Sequence, residues 1–210
     1  MNRKTVLCFG DSNTYGFDPV NWTRYEEDVR WPGVLAKLLG EDYKVIEEGC
    51  NGRTTRQDDP DEDWTNGRSY LKPCLYSHRK IDIMILMLGT NDLKNRFHLT
   101  AEEIADGIEE LITVTKEFIT PKQEIAPEIL LIAPPVVADS VNESRFNDEF
   151  DETAIQRSKQ FAKLYSDVAK RQGCMLLDAS KFVESCKEDA IHLMPDMHRK
   201  LGEAVFEMIS

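Results

Sequence analysis

Short apolar runs alternate with longer amphipathic segments along the whole chain. The runs fall at Thr5–Phe9, Lys44–Ile46, Ile81–Leu88, Ile129–Ala133 and Met175–Leu177. The strongest, Ile81-Asp82-Ile83-Met84-Ile85-Leu86-Met87-Leu88, is apolar on both faces apart from Asp82. A strand of that kind belongs inside a parallel sheet covered on both sides. Between the runs the apolar spacing changes to three and four. Val34, Leu35, Leu38 and Leu39 make one helical face, with Pro32 tolerated in the first turn and Gly40 placed to end the helix. Thr100-Ala101-Glu102-Glu103 is a capping-box sequence, followed on one side by Ile104, Ile108, Leu111 and Ile112. A longer helical segment, Asp151 to Lys170, carries Ile155, Phe161, Leu164, Tyr165 and Val168. The last helix carries Met197, Leu201, Ala204, Val205 and Met208, with Asp196 as its expected N-cap and His198 in its first turn.

Strands alternating with helices predict an α/β chain, a three-layer α/β/α sandwich around a central parallel sheet of about five strands. With no internal repeat and no Gly- or Ser-rich linker, residues 1–210 read as one domain. Two stretches are irregular. Asp58-Asp59-Pro60-Asp61-Glu62-Asp63 reads as a solvated acidic loop, because it lacks the alternating ligand spacing of a calcium loop. Pro134 to Asn147 follows the fourth strand, where a loop would line a site.

Composition narrows the function classes. A net charge of -12 disfavours nucleic acid, whose phosphates demand basic surface. No apolar run approaches the roughly 20 residues of a membrane span, and the N-terminal run is too short for a signal-peptide core. The five cysteines, Cys8, Cys50, Cys74, Cys174 and Cys186, are odd in number and show no C-x-x-C spacing. Reduced thiols and a cytoplasmic location are expected, with Cys8 a core residue of the first strand. No metal-ligand spacing such as H-E-x-x-H occurs, so no metal or cofactor is expected.

Candidate chemistry lies at strand ends, where open α/β sheets form a ligand crevice. Gly10-Asp11-Ser12-Asn13-Thr14-Tyr15-Gly16 puts a hydroxyl directly after the first strand. A serine hydroxyl needs a base, a group that orients the base, and donors for the oxyanion that forms. His192 stands three residues after Asp189, a spacing that brings the carboxylate to Nδ1 and leaves Nε2 facing outward. Asp196 and His198 form a rival pair. Asn91 follows Gly89-Thr90 at the exit of the central strand, and its amide could serve an oxyanion or close an Asx-turn. Gly52, after the second strand, could present its backbone N–H closely or only form an Asn-Gly turn. Asp11, next to the serine on a turn, suits hydrogen bonding within the loop rather than orienting the base. Tyr15, Phe17 and Trp22 could line a pocket or a subunit contact, or pack in the core.

Together, Gly10-Asp11-Ser12, Gly89-Thr90-Asn91-Asp92 and Asp189-Ala190-Ile191-His192 resemble the blocks of the SGNH hydrolases, the GDSL esterase and lipase family. Further phrases are similar to its bacterial arylesterase and acyltransferase-like branch: Asp28-Val29-Arg30-Trp31, Val45-Ile46-Glu47-Glu48-Gly49, Arg53-Thr54-Thr55, Asp58-Asp59-Pro60 and Ser69-Tyr70-Leu71. The resemblance implies a flavodoxin-like fold and a serine esterase. It assigns Ser12 as nucleophile, Asp189 and His192 as its triad partners, and Ser12, Gly52 and Asn91 as the oxyanion hole. Small acetyl-like or aryl esters, acyl transfer to alcohols and a homo-oligomer are implied with it. A carbohydrate O-deacetylase or an acyl-thioesterase would use the same triad. The acidic balance weighs against coenzyme A esters. The rival of another class is a small-molecule binding module using the first loop for phosphate, disfavoured because that loop is neither G-x-G-x-x-G nor a Walker loop and carries Asp11. Asn13, Asn51-Gly52, Thr120–Glu128 and Ser140–Asp151 depart from the branch, and the last two segments are expected to shape the acyl or alcohol pocket.

Overall fold

Five parallel strands form the sheet of the computed structural model, which describes residues 3–210. They are β1 (Lys4–Gly10), β2 (Tyr43–Gly49), β3 (Ile83–Met87), β4 (Glu128–Ala133) and β5 (Met175–Asp178), in the order β2-β1-β3-β4-β5. The expected three-layer sandwich is the one observed. The central strand β3 is buried along its whole length, as its apolar composition on both faces requires.

Alternate residues of the strands feed two cores. Val6, Cys8, Ile83, Ile85, Leu130 and Ile132 point to one side, against α2 (Trp31–Leu39) and α7 (Pro195–Ile209). Leu7, Phe9, Met84, Leu86 and Leu131 point to the other, against α3 (Gly67–Ser77), α4 (Ala101–Gln123) and α6 (Phe161–Gln172). Cys8 is a core residue, as expected, and all five cysteines are free thiols. The Thr100 capping box is formed in full: Thr100 Oγ1 accepts from the Glu103 N–H and the Glu103 carboxylate accepts from the Thr100 N–H. No described helix is long and apolar enough to cross a membrane.

The structure corrects the sequence reading at several points. The segment expected to be one helix from Asp151 is two, α5 (Glu152–Ser158) and α6. Ser158 ends the first by turning its hydroxyl onto the Ile155 carbonyl at 3.0 Å while accepting from the Val137 N–H, an alternative to the helical ladder. Helix α3 was not anticipated, because Pro73 lies inside it; Asn66 caps it, accepting from the Ser69 N–H, and Leu71, Cys74 and Leu75 supply its buried face. Asp196 is not the N-cap of α7. Met194 holds that position and Pro195 is the first helical residue, where its missing N–H costs nothing. Finally, Thr120–Glu128 lies at the amino ends of the strands, where Gln123 is hydrogen-bonded to both the N–H and the carbonyl of Ile81. That is the edge away from the strand exits, so this segment cannot shape a pocket there.

Candidate active site

The chain leaves β1 at Gly10 and turns at once into a single helical turn, α1 (Ser12–Tyr15). Asp11 caps it, its Oδ1 accepting from the Asn13 N–H at 3.0 Å, the loop role expected of it. Burial pushes the Asp11 carboxyl up to about 6 against the lowering effect of that bond and of His192 and Arg53. Ser12 is relieved of capping and its hydroxyl is turned elsewhere: Oγ lies 2.7 Å from His192 Nε2. His192 Nδ1 lies in turn 2.6 Å from Asp189 Oδ2. With the carboxylate accepting from Nδ1–H, Nε2 is left to accept from the Ser12 hydroxyl. The chain is shielded from solvent, with Ser12 and His192 each 6% exposed and Asp189 fully buried, so its hydrogen bonds act in a low dielectric.

The Asp189–His192 loop is shaped by its own carboxylate. Asp189 Oδ1 accepts from the N–H groups of Ile191 and His192 and from the Cys186 thiol. Ala190, between them, takes a left-handed φ of 68°, a conformation that costs a non-glycine residue and is held here by the surrounding bonds. Burial alone would raise the Asp189 carboxyl. The His192 ring and the two backbone donors outweigh it and hold it at about 2, so the group is ionised at neutral pH. The departure at Asn13 has a physical account: Nδ2 donates to the Ile191 carbonyl at 3.2 Å and Oδ1 accepts from the Leu193 N–H at 3.0 Å. The backbone on both sides of His192 is thereby tied to the residue that follows Ser12.

Two further strand exits reach the same place. Gly52 adopts φ 76°, a left-handed conformation that favours glycine. Asn91 donates one amide hydrogen to the Arg53 carbonyl at 3.1 Å, which leaves its second available. Ser12, Gly52, Asn91 and His192 all line one cleft of about 500 Å³. Two residues that sequence reasoning missed hold these exits together. Asp92 accepts from both the backbone N–H and the hydroxyl of Thr55, joining the loops after β2 and β3. Arg53 donates to the Gly10 carbonyl at 2.9 Å and to the Glu48 carbonyl, bridging the ends of β1 and β2. Asp92 was legible only as part of Gly89-Thr90-Asn91-Asp92, and Arg53 only as part of Arg53-Thr54-Thr55.

The rest of the cleft mixes aromatic and charged groups. The Phe17 ring centre lies 4.6 Å from that of His192, Phe146 lies 6.0 Å from it, and Trp22 packs on both phenylalanines. Tyr15 does not line the cleft; its ring lies under the Arg24 guanidinium. The acidic stretch is not simply solvated. Asp59 is buried against Lys94 and Arg96, because these two cations, with Asp61 and Glu149, form one ion-pair network at the cleft. The segment Ser140–Asp151 contributes Phe146, Glu149 and Phe150 to the cleft, as expected.

The rival pair does not form a site. His198 is fully buried between α7 and α2, where Nδ1 faces the Trp31 N–H at 3.4 Å and the ring meets Tyr25 edge-on. Burial, with the charges of His192 and Arg30, pushes its imidazole down to about 3. A depressed histidine contributes stability that is present above its unfolded value near 6.5 and is lost as pH falls from there toward about 3. Asp11 and Asp92, both raised to about 6, act with the opposite sign over part of that window. The His198 contribution is therefore read as a difference: the stability gap between wild type and His198→Asn is expected to close on acidification by at most about 1.4 kcal/mol per pH unit. Urea unfolding of both proteins between pH 7 and pH 4 measures it, and a gap independent of pH contradicts the assignment.

A parallel sheet carrying a hydrogen-bonded serine, histidine and aspartate at its carboxyl edge fits a serine hydrolase and not a phosphate-binding module. The chain belongs to the GDSL-like lipase/acylhydrolase family, whose model matches residues 8–200. It is similar to a carbohydrate acetylesterase of Sinorhizobium meliloti, with 36% identity and a TM-score of 0.93, covering 99% of this chain and 98% of that one. It is also similar to the M. smegmatis aryl esterase, with 38% identity, a TM-score of 0.91 and 98% of each chain covered. An acetylxylan esterase of Xylanibacter ruminicola is 26% identical over 95% of the chain, which spans 42% of that protein's length.

Proposed function

We propose that the protein is a carboxylic ester hydrolase that works through an acyl-enzyme on Ser12. The observation that carries the reading is the unbroken path from Ser12 Oγ through the His192 ring to Asp189, at 2.7 and 2.6 Å. In the first step Ser12 Oγ bonds to the ester carbonyl carbon while its proton passes to His192 Nε2. The carbonyl oxygen gains the negative charge, and the Ser12 and Gly52 N–H groups with the Asn91 amide are the donors assigned to it. Asp189 stabilises the imidazolium without taking its proton. The proton then goes to the leaving alkoxide as the C–O bond breaks. Water, activated by the same imidazole, releases the acid and returns Ser12; an alcohol in its place would give a new ester.

Small acyl groups fit this reading, since Phe17 and Phe146 crowd the imidazole where the acyl chain would lie. A sugar as the alcohol is favoured by the cleft's pairing of aromatic faces with the Lys94, Arg96 and Glu149 network, and by the names of two relatives. Free thiols support the cytoplasmic expectation, and exposed Trp22 at the cleft, with exposed Val20 two residues before it, supports a homo-oligomer whose mass in solution is the check. A serine-directed phosphonate tests the central claim: it should label one peptide, that containing Ser12, and labelling elsewhere overturns it. Asn91→Ala is expected to lower kcat by about 10²–10³ with a smaller change in KM, because the amide acts as charge develops on oxygen. A near-normal kcat with a lowered Tm would make Asn91 a structural turn residue instead.

A further inference from the structure

Away from the cleft, α3 and the end of β2 bring three metal-binding side chains together. Cys74 lies on α3 and His78, four residues later, is its C-cap, with the His78 N–H donating to the Cys74 carbonyl. Glu48, on β2, faces them. The Cys74 thiol, a His78 ring nitrogen and a Glu48 carboxylate oxygen all lie within 4.8 Å of one another. None of the three lines the cleft that holds Ser12.

Besides packing on the buried face of α3, Cys74 has surroundings that suit a ligand. Cys74 is 1% exposed. Cys50, Cys174 and Cys186 each reach an oxygen acceptor; among the described residues the Cys8 and Cys74 thiols do not, and of these two it is Cys74 that faces the His78–Glu48 pair. Glu48 is oriented from outside the cluster: Tyr70 Oη donates to its Oε2 at 3.1 Å, while Oε1 meets His78 Nε2 at 2.6 Å. A metal carboxylate held by an outer hydrogen bond of this kind is a recurrent feature of built sites. His78 and Glu48 are only partly buried, so solvent reaches the open side of the cluster.

We propose that Glu48, Cys74 and His78 form a zinc site, with water as the fourth ligand. One thiolate, one imidazole and one carboxylate are the donor types that Zn²⁺ takes, and a tetrahedral ion at bond lengths of about 2.0–2.3 Å needs donors roughly 3.3–3.8 Å apart. The cluster is already near that size. The Nε2–Oε1 contact opens as the ion enters between the two, and Cys74 Sγ closes on it. Cys74 gives up its proton to solvent, and His78 binds through Nε2 with its remaining proton on Nδ1. The Glu48 carboxylate and the thiolate formed on binding neutralise the divalent ion, although burial holds the free Cys74 thiol protonated and the nearby Arg53 guanidinium opposes uptake.

Cobalt serves as the spectroscopic substitute for zinc. The full-length protein, stripped with a chelator and titrated with Co²⁺, is expected to bind one equivalent with tetrahedral d–d absorption and a thiolate-to-metal charge-transfer band, both bleached by Zn²⁺. Cys74→Ser should abolish the charge-transfer band. Glu48→Gln and His78→Ala should each weaken Co²⁺ binding at least tenfold, whereas Ser12→Ala should leave the titration unchanged. Far-UV circular dichroism reports that each variant is folded, and phosphonate labelling of Ser12 is a second check on the variants of Glu48, Cys74 and His78. If Cys74→Ser does not fold, the two partly exposed positions decide the matter. A weak octahedral spectrum, a charge-transfer band that survives Cys74→Ser, or an unchanged titration in both Glu48→Gln and His78→Ala would overturn the site. Failure of phosphonate labelling would instead count against the esterase reading and leave the metal titration standing.

Discussion

Ser12→Ala and His192→Ala are each expected to lower kcat for a small acetyl ester by about 10⁶-fold, with the double variant little worse than either. The non-additivity follows from the geometry. A hydroxyl 2.7 Å from an imidazole nitrogen loses its proton only as that nitrogen gains it, so removing either partner removes the same step. What survives is the contribution of substrate binding and oxyanion donors, roughly 10³–10⁴ over water. Both side chains are at the cleft surface of a sheet whose core they do not fill, so Tm should change little beside the loss of rate. Steady-state turnover of a chromogenic acetyl ester measures the effect, with mass spectrometry to exclude wild-type contamination. A single variant that keeps a tenth of the activity would remove Ser12 or His192 from the mechanism.

Asp189→Asn carries the second largest expectation, a fall in kcat of about 10⁴-fold with the protein still folded. An asparagine can keep its oxygen toward the Ile191 and His192 N–H groups, which preserves the loop, and its amide then faces His192 Nδ1. Nδ1 must now accept, the ring proton moves to Nε2, and Nε2 can no longer take the Ser12 proton. The carboxylate held at about 2 also supplies a charge that the neutral amide lacks when the imidazolium forms. The comparison variant is Asp196→Asn, a change in the first turn of α7 that touches neither Ser12 nor His192 and should leave kcat within a factor of two of wild type. Equal losses in the two variants, or a loss at Asp189 that tracks unfolding, would defeat this account.

The sheet was readable because its strands are short, apolar and separated by helical spacing. The run from Ile81 to Leu88 marks the central strand as directly as a sequence can. Helix α3 escaped notice because Pro73 interrupts the expected pattern and its buried positions, Leu71, Cys74 and Leu75, are too few to establish a period. The N-cap of α7 lies two residues before the expected one: Asp196 is a good cap, but Pro195 already fixes the first helical dihedral and Met194 takes the cap position. At the site, the three blocks pointed to Ser12, Asn91 and the Asp189–His192 pair, because each residue type is ordinary in a turn on its own while their joint placement at strand ends of one α/β chain is not. Asn13, Asp92 and Arg53 bond mainly to backbone groups of other loops. Nothing in a linear sequence says which distant carbonyl or N–H a polar side chain will meet, so their roles became visible only in three dimensions.

Asn13 has a consequence for how the molecule comes together. Its two bonds to the loop around His192 span 178 and 180 residues, and the Ser12–His192 contact spans 180. These are nearly the longest separations that a chain of 210 residues allows. Joining chain segments so far apart carries a large closure entropy, and non-local contacts of this type are the ones that slow folding. The sheet brings the two ends within reach, since β1 lies inside it, between β2 and β3, and α7 packs on α2. Reactive chemistry therefore depends on the last and longest loop to shut. A chain still emerging from the ribosome, with His192 not yet docked against Ser12, holds a serine with no base to activate it.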